Sequence, residues 1–305
     1  MSSYVHICTL CERGYDLGVG ALLNSLILSG FRGKVSVGTR GEISALLGNI
    51  KTACFRHNIC VSILNVDWDG HLTTFKPAFM RQILEATVEN EGGVAYFDPD
   101  IVVEARWGFF ESWIKNGVAV SSDVVHNMMH PHDPRKLMWR DIAERLNLEF
   151  RDFQGYANAG FVGVHRKHRT FLDSWAMLTD KLSEVGLLDP YAFRQRDPTH
   201  PFVAADQDVM NMSFHIADVP ISLATPDGMG FQTTGATYMA HALGPKKPWQ
   251  RGFLSQALRR GVRPSYAARR YWEYVEAPVP VFSSWEVRMA KLEIRAAALV
   301  ARLAG

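Results

Sequence analysis

The sequence predicts an α/β fold, a mostly parallel mixed sheet flanked by helices, followed by a basic helical extension at the C-terminus. Three observations lead there. Short apolar runs alternate with amphipathic stretches, as βαβ units require. One of those runs ends abruptly at a pair of carboxylates. The last fifth of the chain is Arg-rich and helix-patterned. In chain order, residues 4–10 read as a first strand. A helical pattern follows through Leu17, Ala21, Leu22, Ser25, Leu26 and Leu28, closed by Gly30. Residues 34–38 and 60–66 are the next strands, and a helix through Pro77, Met80, Ile83 and Leu84 leads to a strand at 94–97. Residues 118–121, 161–165 and 219–223 complete the strand set. Such alternation builds a helix-covered, largely parallel sheet. After Trp249 the chain turns Arg-rich and aromatic, residues 276–280 form a Pro-bearing connector, and 284–304 read as a last helix. Residues 1–249 are expected to form one domain and 250–305 its extension.

The composition excludes several classes. With 305 residues, 47% hydrophobic and 21% charged, the chain is neither disordered nor fibrous. No run approaches the ~18 apolar residues of a membrane span. A formal net charge of +2 argues against a dedicated nucleic-acid binder. That total is uneven: residues 246–305 hold twelve basic and four acidic side chains, so they carry +8 and the first 245 carry -6. No basic and apolar leader precedes the first strand, so a cytoplasmic location is expected, with peripheral membrane contact open. Cys8 and Cys11 have the spacing of half a zinc site, but Cys54 and Cys60 do not supply the other half. All four are expected as reduced thiols.

The most informative segment is Tyr96-Phe97-Asp98-Pro99-Asp100-Ile101. Two carboxylates stand where a buried strand runs out, the edge at which open parallel sheets bind ligands. Hard divalent cations take oxygen ligands, and substrate phosphates often complete their shell. Asp98 and Asp100 therefore suit a metal–diphosphate complex. A strand-end turn capped by aspartates is the structural alternative. Asp67-Trp-Asp69 has the same spacing but polar surroundings and reads as a loop.

Three further segments extend the constellation. Asn158-Ala159-Gly160 offers an amide beside small residues that admit close approach. Asp206-Gln207-Asp208 places three polar side chains at a helix start, suited to hydroxyl recognition or simply to capping. In His241-Ala-Leu-Gly244-Pro-Lys-Lys247-Pro-Trp249 the imidazole can be a third metal ligand, while Gly244 and Lys247 can meet phosphate oxygens. His126, His130 and His132 lie in a Pro- and Asp-bearing segment and read as loop.

With these segments in this order, the chain resembles the glycosyltransferases of family 8 over residues 4–249. The resemblance implies a GT-A, Rossmann-like fold and a retaining enzyme using a nucleotide sugar, UDP-glucose or UDP-galactose first among them. It implies Mn²⁺ or Mg²⁺ on Asp98, Asp100 and His241, and the donor diphosphate on Gly244 and Lys247. Asn158, Asp123 and Asp206 would contact the donor sugar. Gln207 would lie near the anomeric carbon, with Asp208 the alternative should a covalent intermediate form. Arg81 would face the donor, with Lys76 the competing choice. Residues 9–15, including Thr9 and Tyr15, would meet the base, Tyr15 by stacking and Glu12 by accepting an imide N–H. This segment lacks the acidic pair of close relatives, and Pro99 replaces the small residue usual between the two aspartates.

Two other readings stand beside this one. A haloacid-dehalogenase-like phosphatase would use Asp98 as nucleophile, although its motif does not usually continue as a strand like residues 101–103. A non-catalytic nucleotide-sugar or glycan binder would share the fold without turnover. The acceptor, whether glycan, lipid-linked sugar, protein or small molecule, is not encoded in any motif. In the last helix Trp285, Met289, Leu292, Ala296, Leu299 and Leu303 recur by threes and fours, beside Arg288, Lys291, Arg295 and Arg302. That pattern suits an anionic membrane, a second subunit or the chain's own core.

Overall fold

A computed structural model describes residues 3–12, 14–87, 92–126, 128–232 and 236–303. Arg13, within the segment expected to meet a base, and Ala304, at the end of the last expected helix, lie outside the described residues. The strands are β1 (Val5–Cys11), β2 (Gly33–Thr39), β3 (Ile59–Asn65), β4 (Gly93–Phe97), β5 (Ile101–Val103), β6 (Val118–Ser122), β7 (Ala157–His165), β8 (Ile221–Ala224) and β9 (Met239–His241). The helices are α1 (Asp16–Ser29), α2 (Ala45–Phe55), α3 (Lys76–Glu85), α4 (Trp107–Asn116) and α5 (Pro134–Arg145), then α6 (Thr170–Glu184), α7 (Ala205–Ile216), α8 (Phe253–Arg260), α9 (Tyr266–Tyr271) and α10 (Ser284–Leu303).

Seven strands form the main sheet in the order β3-β2-β1-β4-β7-β6-β8. The β1–β2, β2–β3, β1–β4 and β6–β8 pairs are parallel, whereas β7 runs antiparallel to both β4 and β6. Side chains alternate between two cores, as the pleat dictates. Cys8, Leu10, Val94 and Tyr96 point into a cluster with Phe79, Trp139, Trp175 and Val209 of α3, α5, α6 and α7. Ile7, Cys11, Ala95 and Phe97 point oppositely, against Val19, Leu22, Ile50 and Phe110 of α1, α2 and α4. Burial on both faces explains why these strands read as continuous apolar runs.

Two strands depart by two residues or more from the expected bounds, for physical reasons, and β9 has no counterpart among the expected strands. β8 begins at Ile221 rather than 219 because Pro220 has no N–H to give a ladder. Its carbonyl instead accepts from Val118 N at 2.8 Å. β7 starts at Ala157, four residues earlier than expected, because the Asn158-Ala159-Gly160 segment is itself strand, with a bulge opposite Val120/Ser121. Cys8, Cys11 and Cys54 are buried free thiols and Cys60 is an exposed one. Among the described residues no helix is long and apolar enough to cross a membrane.

A second, two-stranded sheet of β5 and β9 places Ile101 opposite His241. Residues after Trp249 pack onto it: Val102, Ala240 and Ala242 share a core with Phe253, Tyr271, Trp272, Val287 and Ile294. Asn24 of α1 ties this layer down, its amide donating to the Tyr274 and Val279 carbonyls at 2.7 and 2.8 Å and accepting from Val279 N at 2.8 Å.

Candidate metal and donor site

Asp98 and Asp100 follow directly on β4, and the β5–β9 pairing carries His241 back beside them. Ala242 N donates to the Asp100 carbonyl at 3.1 Å and Asp98 N to the Gly160 carbonyl at 2.7 Å, so backbone bonds fix the turn from two sides. Asp98, Asp100 and His241 each offer a ligand atom, all within 4.8 Å of one another. His241 Nε2 lies 3.3 Å from Asp100 Oδ1 and 3.8 Å from Asp98 Oδ2. Two carboxylates and an imidazole facing one point form a donor set that can hold a divalent cation, whose octahedral ligands at ~2.1 Å span about 3 to 4 Å. The spacing fits.

Glycines permit this geometry. A Cβ on Gly160 would collide with the His241 ring, coming within 2.7 Å of Nδ1. One on Gly18 would strike the Pro99 carbonyl and press on Trp249 at 2.9 Å, so α1 can lie against the Asp98–Asp100 turn only because residue 18 has no side chain.

Two lysines neutralise the carboxylates. Lys247 Nζ lies 2.6 Å from Asp100 Oδ2 and donates to the Ala242 carbonyl at 3.1 Å. Lys76, fully buried, lies 3.0 Å from Asp98 and 2.9 Å from Asp206 and donates to the Ala159 carbonyl at 3.1 Å. Tyr96 Oη donates to Asp98 at 3.0 Å. Burial alone would raise both aspartates. For Asp100 it is outweighed by His241 and Lys247, which hold the carboxyl well below the usual range. For Asp98 burial, reinforced by the nearby Asp100 charge, prevails over Lys76 and lifts the carboxyl. Burial would likewise lower Lys76, but Asp206 and Asp98 keep it charged, above its ordinary value.

Opposite the metal cluster lies a polar network built on β6, β7 and α7. Asn158 donates to Asp123 Oδ2 at 3.0 Å and accepts from Gly160 N at 2.9 Å. Gln207 accepts from Ala159 N at 3.2 Å, while its amide nitrogen lies 3.3 Å from Asp123 and from Tyr156 Oη. Asp208 is completely buried, and both its oxygens are engaged, by Tyr156 Oη at 2.6 Å, Arg135 at 3.0 Å and Ala204 N at 2.7 Å. Burial raises its pKa despite those donors.

These groups line one cleft of 870 Å³. It brings together Asp98, Asp100, His241, Gly244, Lys247, Tyr15, Asp123, Asn158, Asp206, Gln207 and Asp208. Tyr15 packs edge-on against Trp249, with ring centroids 5.3 Å apart. Two expected residues are elsewhere. Thr9 is fully buried in β1 and outside the cleft, its hydroxyl unpartnered among the described residues. Arg81 is half-exposed and faces Glu85 at 4.0 Å. Five residues along a helix turn a side chain about 140°, so Lys76, not Arg81, presents its charge to the cleft. Glu12 lines the cleft but is ion-paired with Arg40.

Sequence reasoning missed Tyr156, Arg135 and Tyr96. Tyr156 had a usable signal, since it stands two residues before Asn158 and so shares its side of the chain as it enters β7. Arg135, on a different element, had none.

Among solved structures, the galactosyltransferase LgtC in complex with donor and acceptor sugar analogues superposes with a TM-score of 0.54, at 15% identity, over 92% of this chain and 99% of that one. The bifunctional glycosyltransferase WbbM gives 0.56 at 16% identity, covering 96% of this chain and 52% of that one. GlyE of Streptococcus pneumoniae TIGR4, a glycosyltransferase, gives 0.54 at 12% identity over 96% of this chain and 64% of that one. The likeness shows a common fold, the GT-A arrangement. No protein-family model matches the sequence, and no functionally curated protein does.

Proposed function

We propose that this protein is a glycosyltransferase that moves a hexose from a nucleotide sugar, with UDP-glucose and UDP-galactose the leading donors, to an acceptor hydroxyl with retention of the α configuration. The observation that supports it most is the Asp98–Asp100–His241 cluster flanked by Lys76 and Lys247 in a cleft of 870 Å³, a size suited to a sugar nucleotide. Mn²⁺ or Mg²⁺ held by those three residues would supply Lewis-acid stabilisation of the departing diphosphate.

The chain's own groups account for the rest. Lys247 stands beside Asp100 with its ammonium at the cleft, placed to transfer its charge to a diphosphate oxygen, and Gly244 offers backbone beside it. Tyr15 gives a ring face for the base. Lys76 stays with Asp98 and Asp206 and fixes both carboxylates in position. Asp123, Asn158 and Asp206 accept or donate to sugar hydroxyls. Glycosyl transfer passes through an oxocarbenium-like state, and Gln207 is the residue of this network assigned to its reacting face. Asp208, with both oxygens engaged, is assigned to hold Tyr156 and Arg135, and its use as a nucleophile would require breaking those bonds.

The phosphatase motif does not usually continue as a strand after its aspartates. Here residues Ile101–Val103 form β5, which favours the glycosyltransferase reading. The test is to incubate the purified protein with Mn²⁺ and a panel of nucleotide sugars and measure nucleotide diphosphate release. Release from one donor, dependent on the metal, is expected. Failure with every donor would contradict the proposal, and phosphate release from simple monoesters, lost in Asp98→Asn, would favour the phosphatase instead.

A further inference from the structure

We infer that the outward face of α10 is a binding surface for an anionic lipid bilayer. The helix divides into four sectors, one of which holds Glu286, which accepts from Ser283 Oγ at 2.6 Å, and Glu293, paired with Arg251 at 3.2 Å. The one turned to the protein carries Val287, Ala290, Ile294, Ala297 and Ala301, all buried and mostly small. The opposite sector carries large apolar side chains left in the open: Trp285 is 67% exposed, Leu292 50%, Leu299 60% and Leu303 90%. At about 100° per residue these are centred nearly opposite the buried alanines. Between the two sectors Arg288, Lys291, Arg295 and Arg302 form a continuous basic flank. Among the described residues only Lys291 of these four has a carboxylate partner, Glu276 at 3.4 Å.

A helix serving only to cover its own protein would turn its large apolar residues inward. This one docks through three alanines, a valine and an isoleucine and exposes Trp and Leu. Contiguous apolar exposure of that kind marks an interaction surface, and cations flanking it suit the interface of a bilayer, where the apolar face enters the acyl boundary and Lys and Arg meet the headgroups. A groove of 240 Å³ beside the helix, lined by Ser284, Arg288, Lys291, Leu292 and Arg295 with Glu276 at its side, gives a headgroup phosphate a place among three cations. Charge argues against a second copy of the chain as occupant: antiparallel two-fold pairing through this face would bring the two basic flanks together, and parallel pairing would set each against Glu286 and Glu293, which are already engaged by Ser283 at 2.6 Å and Arg251 at 3.2 Å. With a span of about 30 Å, the helix can lie flat on a membrane as a rigid part of the fold. Its membrane contact is independent of the chemistry in the cleft.

The test is flotation of the full-length protein with vesicles of phosphatidylcholine alone and with phosphatidylglycerol mixed in. Two variants accompany it, R288E/K291E/R295E and W285S/L292S/L299S, all at exposed or groove-lining positions outside the cleft. Both should keep the wild-type melting temperature and metal-dependent donor hydrolysis. Wild type should bind anionic vesicles and lose that binding in about 0.5 M NaCl. Each variant should bind at least about tenfold more weakly, and inorganic phosphate should not displace the protein from vesicles. Equal binding to neutral and anionic vesicles, or wild-type binding by both folded variants, would overturn the inference. So would a wild-type dimer in light scattering that W285S/L292S/L299S converts to monomer, since a second copy would then occupy the face.

Discussion

Lys76 is the residue on which the cleft's charge balance turns. It shares a stripe of α3 with Met80 and Ile83, both buried, so a lysine there must enter the core and find carboxylates. That signal was in the sequence, and it separates Lys76 from Arg81 more firmly than position in a motif does. Lys76→Met should leave Asp98 and Asp206 buried without their partner, at a cost of about 3–5 kcal/mol in chemical denaturation; an unchanged midpoint would contradict the network described. Gly160→Ala places a methyl where the His241 ring lies. It should fold, yet lose metal-dependent donor hydrolysis by about tenfold or more, with a raised metal requirement. Full activity at the wild-type metal concentration would show that His241 does not act on the metal. The motif residues Asp98, Asp100 and His241 could be picked out because short chemical patterns survive in sequence. Arg135 could not, because its partners Asp208 and Tyr156 come to it only through folding.

At the level of elements, the central strands were readable because they are buried on both faces and their apolar runs are uninterrupted. The aromatic helix α4 was not singled out, although Trp107, Phe110, Trp113 and Ile114 recur at helical spacing and are buried. β7 is longer than its sequence indicates because Asn158 and Gly160 resist strand assignment by propensity, while ladder bonds and the Asp123 contact override it. The direction of β7 was also out of reach, since antiparallel insertion depends on how the chain crosses the sheet. Helix α7 carries a pH dependence. His215 is buried, donates Nδ1 to the Arg151 carbonyl at 2.8 Å and stacks on Phe150, and burial lowers its pKa to about 4. In the unfolded chain a histidine titrates near 6.5, so between those values the unfolded state binds the extra proton. The stability held by neutral His215 is complete above pH 6.5 and falls as pH drops, by about 2 kcal/mol at pH 5. His215→Gln should reduce the loss of stability between pH 7 and pH 5 by about that amount in urea titrations, and an unchanged pH dependence would contradict the assignment.

For the whole molecule, the near-zero net charge conceals a division that the structure makes spatial. The acidic majority contains the cleft, where net charge matters less than the local pairing of Asp98 and Asp206 with Lys76 and of Asp100 with Lys247. The basic segment contributes Lys247 to that cleft, and then wraps back over α1 and β5 to end in α10. Its expected apolar stripe exists, but facing outward, a choice that helical periodicity cannot make because it fixes which residues share a face and not where that face points. On the proposed function the cleft takes a diphosphate through a metal held by Asp98, Asp100 and His241. Calorimetric titration of UDP into the protein, with and without Mn²⁺, tests it without knowledge of the acceptor. Binding should tighten by about tenfold or more when Mn²⁺ is present, and Asp100→Asn should abolish that gain while the protein stays folded. Equal UDP affinity with and without the metal, or the same Mn²⁺ gain in Asp100→Asn, would contradict the claim.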